Sequence, residues 1–231
     1  MRKLKVIQIL PTLNTGGVER GVLDFNNYLV KNGHDSYVIS NGGRQVKNLI
    51  EDGGNHIHLQ ISNKSIFTLF QAKKLADVIN EISPDIVHIR SRVPAWVLQI
   101  SKLFLKNPRP IIFSTFHGLY STPIYSRIMA SFDRVIAISK TVEKYVNENY
   151  ERYLKKPPKL IYRGSDEEYF SKSFMPSEHY VNEFFRKLPS LRDKKIVSFP
   201  GRLSSWKGQE SFIKLMSDLP DEFSGLIVGP Y

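Results

Sequence analysis

"KVIQILPTLNTGGVERGVLDFNNYLVKNG", residues 5–33, is the stretch on which the fold turns. Its first six residues are apolar or β-branched and stop at Pro11. A loop follows that ends in Gly16 and Gly17. Beyond it Val18, Val22, Phe25 and Leu29 recur at helical spacing, with Gly33 as the stop signal. Strand, glycine loop and helix make the opening of a βαβ unit. The basic start "MRKLKVIQIL" has the look of a signal peptide, but its apolar run is short. Pro, Asn and a glycine pair follow in place of a small-residue cleavage site, so it reads as a first strand.

The same alternation continues outward. "SYVIS" (36–40), "HIHLQI" (56–61), "DIVHI" (85–89), "PIIFSTF" (110–116), "RVIAIS" (134–139) and "PKLIY" (158–162) read as strands. Between 67 and 84 a helix carries Leu75, Val78, Ile79 and Ile82 on one face. Strands that are continuously apolar and separated by helices imply a parallel sheet covered on both faces, a doubly wound α/β domain. Near residue 171 the alternation breaks, and a helix over 177–188 is capped by Ser177. A new β–loop–α–β unit follows: "KKIVSFP" (194–200), "GRLSSWKG" (201–208), "QESFIKLMSDLP" (209–220) and "GLIVG" (225–229). The expected division is 1–170 as one domain, 171–193 as a connection and 194–231 as the start of a second, incomplete α/β domain.

With 231 residues, 41% of them apolar, a packed core is feasible, and no apolar run approaches a bilayer span. Cysteine is absent, which excludes a disulfide framework and thiolate metal sites and fits a reducing compartment. The formal net charge of +11 points to polyanionic partners: nucleic acid, an anionic membrane surface or phosphorylated ligands. Residues 86–132 contain no Asp or Glu but include Arg90, Arg92, Lys102, Lys106, Arg109 and Arg127. A second basic stretch, 140–163, has Tyr145, Tyr150, Tyr153 and Tyr162 interleaved, as a single-strand nucleic-acid platform would.

Ligands of doubly wound sheets bind beyond the carboxyl ends of the strands. Gly16 and Gly17 stand there, before a helix whose N-terminal N–H groups suit an anion. The order Gly-Gly-x-x-x-Gly is not the dinucleotide fingerprint, and the second strand ends in Ser-Asn-Gly-Gly rather than an acid, which argues against a nicotinamide oxidoreductase. His117 follows a strand end in "STFHGLY". Arg90 and Arg92 in "HIRSR" stand at the same rim and could clamp a phosphate or carboxylate, while His88 lies within its strand and reads as a core histidine. In the second unit Arg202 and Lys207 flank a strand-to-helix loop and form a candidate diphosphate site.

Taken in order, "GGVER", "PDIVHIRS", "TFHG", "VIAIS", "IYRGSDEEYF" and "GRLSSWKGQE" resemble the large retaining glycosyltransferase family of GT-B fold, often numbered family 4, and bacterial lipopolysaccharide or glycolipid enzymes above all. The resemblance implies two Rossmann-like domains. It also implies transfer of a sugar, with retention and without metal or other cofactor, from a nucleotide-sugar donor to a glycan or glycolipid acceptor in cell-envelope polysaccharide synthesis. By position it assigns Gly16, Gly17, Arg202 and Lys207 to the donor diphosphate, and His117 to the reaction centre as the catalytic residue. Arg90 and Arg92 remain acceptor-side or anion-binding candidates. The acceptor-side domain would be cytoplasmic, peripheral on the inner face of the membrane, with no nucleic-acid partner. Tyr125, Ile128, Met129 and Phe132 could serve the membrane or, as the stronger expectation, the core. Two departures stand out. The usual "NG-V-D" reads "RG-S-D", with Arg163 in place of Asn, and the family's later Glu-x7-Glu motif does not occur before Tyr231, so the sequence reads as a fragment with an incomplete donor site. The alternative is a basic nucleic-acid-binding α/β protein.

Overall fold

The computed structural model describes residues 2–120, 123–164, 171, 173–204 and 207–229. It divides into two compact units, Met1–Gly164 and Ser165–Tyr231. Of "IYRGSDEEYF", residues 165–170 lie outside the described residues.

The first unit is built on a seven-stranded parallel sheet: β1 (Lys5–Ile9), β2 (Asp35–Ser40), β3 (Asn55–His58), β4 (Ile86–Ile89), β5 (Ile111–Phe116), β6 (Arg134–Ala137) and β7 (Lys159–Leu160). The strand order is β3-β2-β1-β4-β5-β6-β7. Every pairing is parallel, with Gln8 opposite His88 where β1 meets β4. The helices are α1 (Gly17–Lys31), α2 (Val46–Glu51), α3 (Ile66–Leu69), α4 (Ala72–Ile82), α5 (Arg92–Ser101), α6 (Pro123–Ser126) and α7 (Lys140–Tyr150). Each strand in the expected list is present. The segment 123–130 is not one helix but α6 followed by a 3-10 turn over Arg127–Ala130. That turn faces inward: Ile128, Met129 and Phe132 are buried, as the core reading required.

Burial explains the strand composition. Ile7 and Ile9 of β1, Ile39 of β2, Val87 and Ile89 of β4 and Phe116 of β5 join Leu75, Ile79, Leu98 and Tyr150 in one large core. Alternate residues of the central strands face α1 and α2, where Leu10, Leu13, Val22, Val38 and Leu49 form a second cluster. Both faces of the central strands are therefore covered, while the edge strands β3 and β7 leave Asn55, His58 and Lys159 exposed.

The end of β2 shows why an acid is missing there. Gly42 and Gly43 carry the chain back under the first loop, with Leu13 N–H donating to the Gly42 carbonyl at 2.8 Å and Gln45 N–H to the Leu13 carbonyl at 2.9 Å. Gly43 has φ +145°, and a Cβ there would collide with the Leu13 carbonyl. The two loops thus pack backbone on backbone.

The second unit holds α8 (Glu178–Lys187), β8 (Lys195–Pro200), α9 (Gln209–Ser217) and β9 (Phe223–Val228), with β8 and β9 parallel. Ser177 caps α8 by accepting from Tyr180 N–H. Phe199 and Phe212 stack at 5.0 Å between ring centroids, and α9 presses so closely on β9 that a Cβ on Gly225 would meet Phe212 and Met216. Replacing Gly43 by Ala combines a left-handed backbone with a steric clash, so it is expected to lower stability by about 1–3 kcal/mol. Denaturant midpoints measure this; a variant that unfolds with its parent would show that the two loops do not pack as described.

Candidate functional site

The strand order reverses between β1 and β4, so the chain leaves these neighbours in opposite directions and opens a crevice at their carboxyl ends. Two of the candidate segments stand at this point. Gly16 is the N-cap of α1, with extended backbone (φ 173°, ψ 169°), and no side chain caps the helix. The first-turn N–H groups are left for an incoming acceptor. The Glu19 side chain folds back over Gly16, where a Cβ would strike its carboxylate.

Arg90 follows β4 directly. Its N–H donates to the Ile9 carbonyl at 2.9 Å, tying it to the neighbouring strand. Its Nη2 donates to Oε1 of Gln8 at 2.6 Å, and Gln8 Nε2 donates in turn to the Val22 carbonyl of α1 at 3.1 Å. The guanidinium lies over the Phe25 ring at 5.8 Å, and its Nε is buried without a partner. Burial, with the like charge of Arg163 nearby, lowers Arg90 to about 9, so it still carries its charge at neutral pH.

His117 follows β5, two strands from β1. Both ring nitrogens are buried and neither has a hydrogen-bond partner among the described residues. Burial first, and then the charges of Arg90 and Arg163, hold the imidazole down to about 3. His117 is therefore neutral at physiological pH, with an acceptor nitrogen and a donor N–H both unspent. His88, by contrast, bonds to Thr115 Oγ1 at 2.7 Å and packs edge-on against Phe25 and Phe113, a core histidine as the sequence suggested.

Arg163 joins this group from the far edge of the sheet. A Cβ on Gly21 would collide with its Nη2, and one on Gly17 would lie 3.5 Å from its Nη1. Its charge reaches both Arg90 and His117. In the sequence Arg163 was only a departure from a motif. The available signal was Gly17 and Gly21 spaced by four on one face of a predicted helix, which leaves bare backbone there. Gln8, a polar residue inside an apolar strand, was the other unused signal.

Arg92 is not part of the group. Its guanidinium stacks on Tyr120 at 4.7 Å and Tyr125 at 5.4 Å, and Nη1 donates to Ser126 Oγ at 3.2 Å. It braces the chain between α5 and α6. The tyrosines of 140–163 are also largely spent on structure. Tyr150 is fully buried, Tyr145 donates to the Tyr120 carbonyl, and Tyr153 lies under Arg127 and Arg152. A base-stacking platform needs several open ring faces, and of the four tyrosines only Tyr162 is exposed.

In the second unit Arg202 follows β8, and its carbonyl accepts from Gln209 Nε2 of α9 at 2.7 Å. Gly208, at φ 91°, is the N-cap of α9, and Lys207 N–H donates to the Ser204 carbonyl at 3.0 Å. The loop is anchored by Gly201, whose N–H donates to Val228 at 2.8 Å and whose carbonyl leaves no room for a side chain at Gly229. Arg202 and Lys207 thus project from a strand-to-helix loop fixed at both ends; 205 and 206 lie outside the described residues.

A family model described as Glycosyltransferase Family 4 matches residues 15–169, two thirds of the chain and every first-unit residue just discussed except Gln8 and Ile9. The chain is 31% identical over 109 residues to an uncharacterized glycosyltransferase of Methanocaldococcus jannaschii, an alignment covering 47% of this chain and 25% of that protein. It superposes with a TM-score of 0.81 and 31% identity on the crystal structure of a glycosyltransferase from Rickettsia africae, over 99% of this chain and 61% of that one. Likeness of fold alone extends to the Anabaena protein HepE in complex with UDP and glucose, with a TM-score of 0.72 and 17% identity over 98% of this chain and 61% of that one. The chain spans about three fifths of each of these solved relatives. The expected α/β fold of GT-B type is the fold found, and these matches do not favour the nucleic-acid alternative.

The burial of His117 fixes a pH response. The unfolded chain binds the proton near pH 6.5 and the folded chain near 3, so between these values the unfolded state holds more protons and stability falls as pH drops. His88, also held well below its ordinary value by burial, adds to the same slope. The His117 ring carbons are expected to show no NMR titration above about pH 4.5. A ring that titrates near its ordinary value would contradict the buried, cation-flanked position.

Proposed function

We propose that this chain, which belongs to Glycosyltransferase Family 4, carries the acceptor-side domain and the first part of the donor-side domain of an enzyme that transfers a sugar from a nucleotide-sugar donor to a glycan or glycolipid. The observation that carries the proposal is the family match over 15–169, which includes Gly16, Gly17, Arg90 and His117, each in a segment that follows a strand of the parallel sheet. Retention at the anomeric carbon, and a place in cell-envelope polysaccharide synthesis, rest on the motif resemblance. A nucleotide-sugar donor is supported by the fold shared with HepE, solved with UDP and glucose.

In this reading Gly16 and Gly17 bring bare backbone and a helix N-terminus to the donor phosphates. His117 is the catalytic residue at the reacting sugar. As a neutral imidazole it can accept a hydrogen bond from one hydroxyl and donate one to another oxygen without adding charge where positive character develops on the sugar. Arg202 and Lys207 neutralise the diphosphate as it leaves, the developing charge that positioned cations stabilise best. We place the protein in the cytoplasm, peripheral on the inner membrane face. The support is the +11 charge, the acid-free span 86–132, and Ile66, Phe67 and Phe70, each more than 70% exposed and followed by Lys73 and Lys74. Among the described residues no helix is long and apolar enough to cross a membrane.

The test is nucleoside diphosphate release by the full-length protein from a panel of nucleotide sugars, with a membrane glycolipid extract as acceptor, since this chain is expected to be inactive alone. Arg202→Ala and Lys207→Ala are each expected to lower release on the order of 10²-fold or more. Release that is unchanged in both variants would remove them from the donor site.

A further inference from the structure

The position of Arg163 asks for a ligand. Its guanidinium lies along the flank of α1, on bare backbone presented by Gly17 and Gly21, one turn apart. A glycine inside a helix costs about 1 kcal/mol relative to alanine. Here it clears a bed for a cation, since a Cβ at Gly21 would collide with Nη2 and stand 3.1 Å from Cζ. None of the ion pairs among the described residues includes Arg163 or Arg90. Arg90 spends one donor on Gln8 and keeps a buried Nε without a partner. Beside them His117 has two buried, unpartnered ring nitrogens. Two neighbouring guanidiniums and an unspent imidazole make a poor arrangement by themselves, because like charges repel and buried donors go unmet. They make a good one for an anion, which guanidinium forks bind with charge-assisted hydrogen bonds.

We propose that Arg163, laid on the Gly17–Gly21 face of α1 beside Arg90, binds a phosphate or carboxylate carried by an anionic acceptor, next to His117. The inference rests on the glycosyltransferase reading and narrows its acceptor from any glycan or glycolipid to an acidic one. Nη2 lies at Gly21, past the first turn, while Nη1 reaches Gly17 at the helix end, so titration with UDP tells this anion from the donor diphosphate. An anion held by first-turn N–H groups sits in front of the helix end, whereas Gly21 lies a full turn, about 5.4 Å, further along. Two guanidiniums without a carboxylate partner among the described residues suit an anion better than a neutral sugar hydroxyl.

The chain is titrated by NMR with inorganic phosphate, methyl β-glucuronide, neutral methyl β-glucoside and UDP, in the parent, in Arg163→Gln and in Gly21→Ala. Phosphate and the glucuronide are expected to bind the parent, and the glucoside is not. Arg163→Gln, at an exposed side chain, is expected to melt with the parent and to weaken both anions about 10-fold or more, the equivalent of one charge-assisted hydrogen bond. Gly21→Ala, which displaces the guanidinium while keeping it in the chain, is expected to weaken them likewise. Equal anion binding in parent and Arg163→Gln, or none in a folded parent, overturns the proposal. So does a UDP affinity that falls in step with phosphate, because the arginines would then serve the donor. A parent that binds the two anions but not UDP leaves the anion site standing, and the donor reading is then decided by the release assay on the full-length protein.

Discussion

The site depends on two parallel strands, β1 and β4, that lie side by side and send the chain in opposite directions. A helix must follow each strand and cover the sheet, and right-handed crossovers place the helix after β1 and the helix after β4 on different faces. A crevice at the strand ends follows from this divergence. Backbone N–H groups of α1 and the first side chain after β4 therefore border the gap by topology alone. His117 reaches the same region because β5 pairs with β4 in register, Ile89 opposite Ser114, which sets the end of β5 beyond the end of β4. The sheet supplies position, and only the last residues of each strand need to supply chemistry.

That division of labour carries a cost inside the core. The α1 face of the sheet holds Gln8 and His88, both buried, where an all-apolar layer would pack more simply. Each is satisfied: Gln8 bridges Arg90 to the Val22 carbonyl, and His88 bonds to Thr115. A buried polar group that keeps its partners costs little, whereas one that loses a partner costs about 1–3 kcal/mol. Gln8 is thus a positioning residue. It holds one end of the Arg90 fork, whose Nε stays buried without a partner among the described residues, and it ties the first turns of α1 to the same arginine. Arg92, two residues on, has its charge absorbed by tyrosine rings instead, which is why two arginines in "HIRSR" do different work.

The sheet was legible in the sequence because buried parallel strands are apolar on both faces and cannot hide among surface loops. The helix pattern was legible where one face is buried, as in α1 and α4. It failed over 123–130, where Ile128, Met129 and Phe132 are buried by a 3-10 turn whose spacing differs from the α-helical period. His117, Gly16, Gly17 and Arg90 could be picked out because strand ends are where doubly wound sheets bind ligands. Arg163 could not be placed that way. It lies about 140 residues from α1 in sequence, and the only sign of its contact is the absence of side chains at Gly17 and Gly21, which in sequence looks like an ordinary glycine-rich turn.

The three glycines after β1 consequently have separate physical reasons. Gly16 ends an uncapped helix whose N–H groups face the crevice. Gly21 is helical and leaves no positive-φ argument to make; its use is the volume it does not occupy. Gly17 belongs to both arrangements, at the helix end and 3.5 Å from Arg163. A short α1 side chain at any of these positions would alter a different contact, so the spacing Gly-Gly-x-x-x-Gly is better understood as a helix end joined to a cation bed than as a variant of a dinucleotide loop. The charge balance agrees with that view. The positive charge at this point comes from Arg163 in the segment after β7 and from Arg90, the first residue after β4, and no described carboxylate pairs with either.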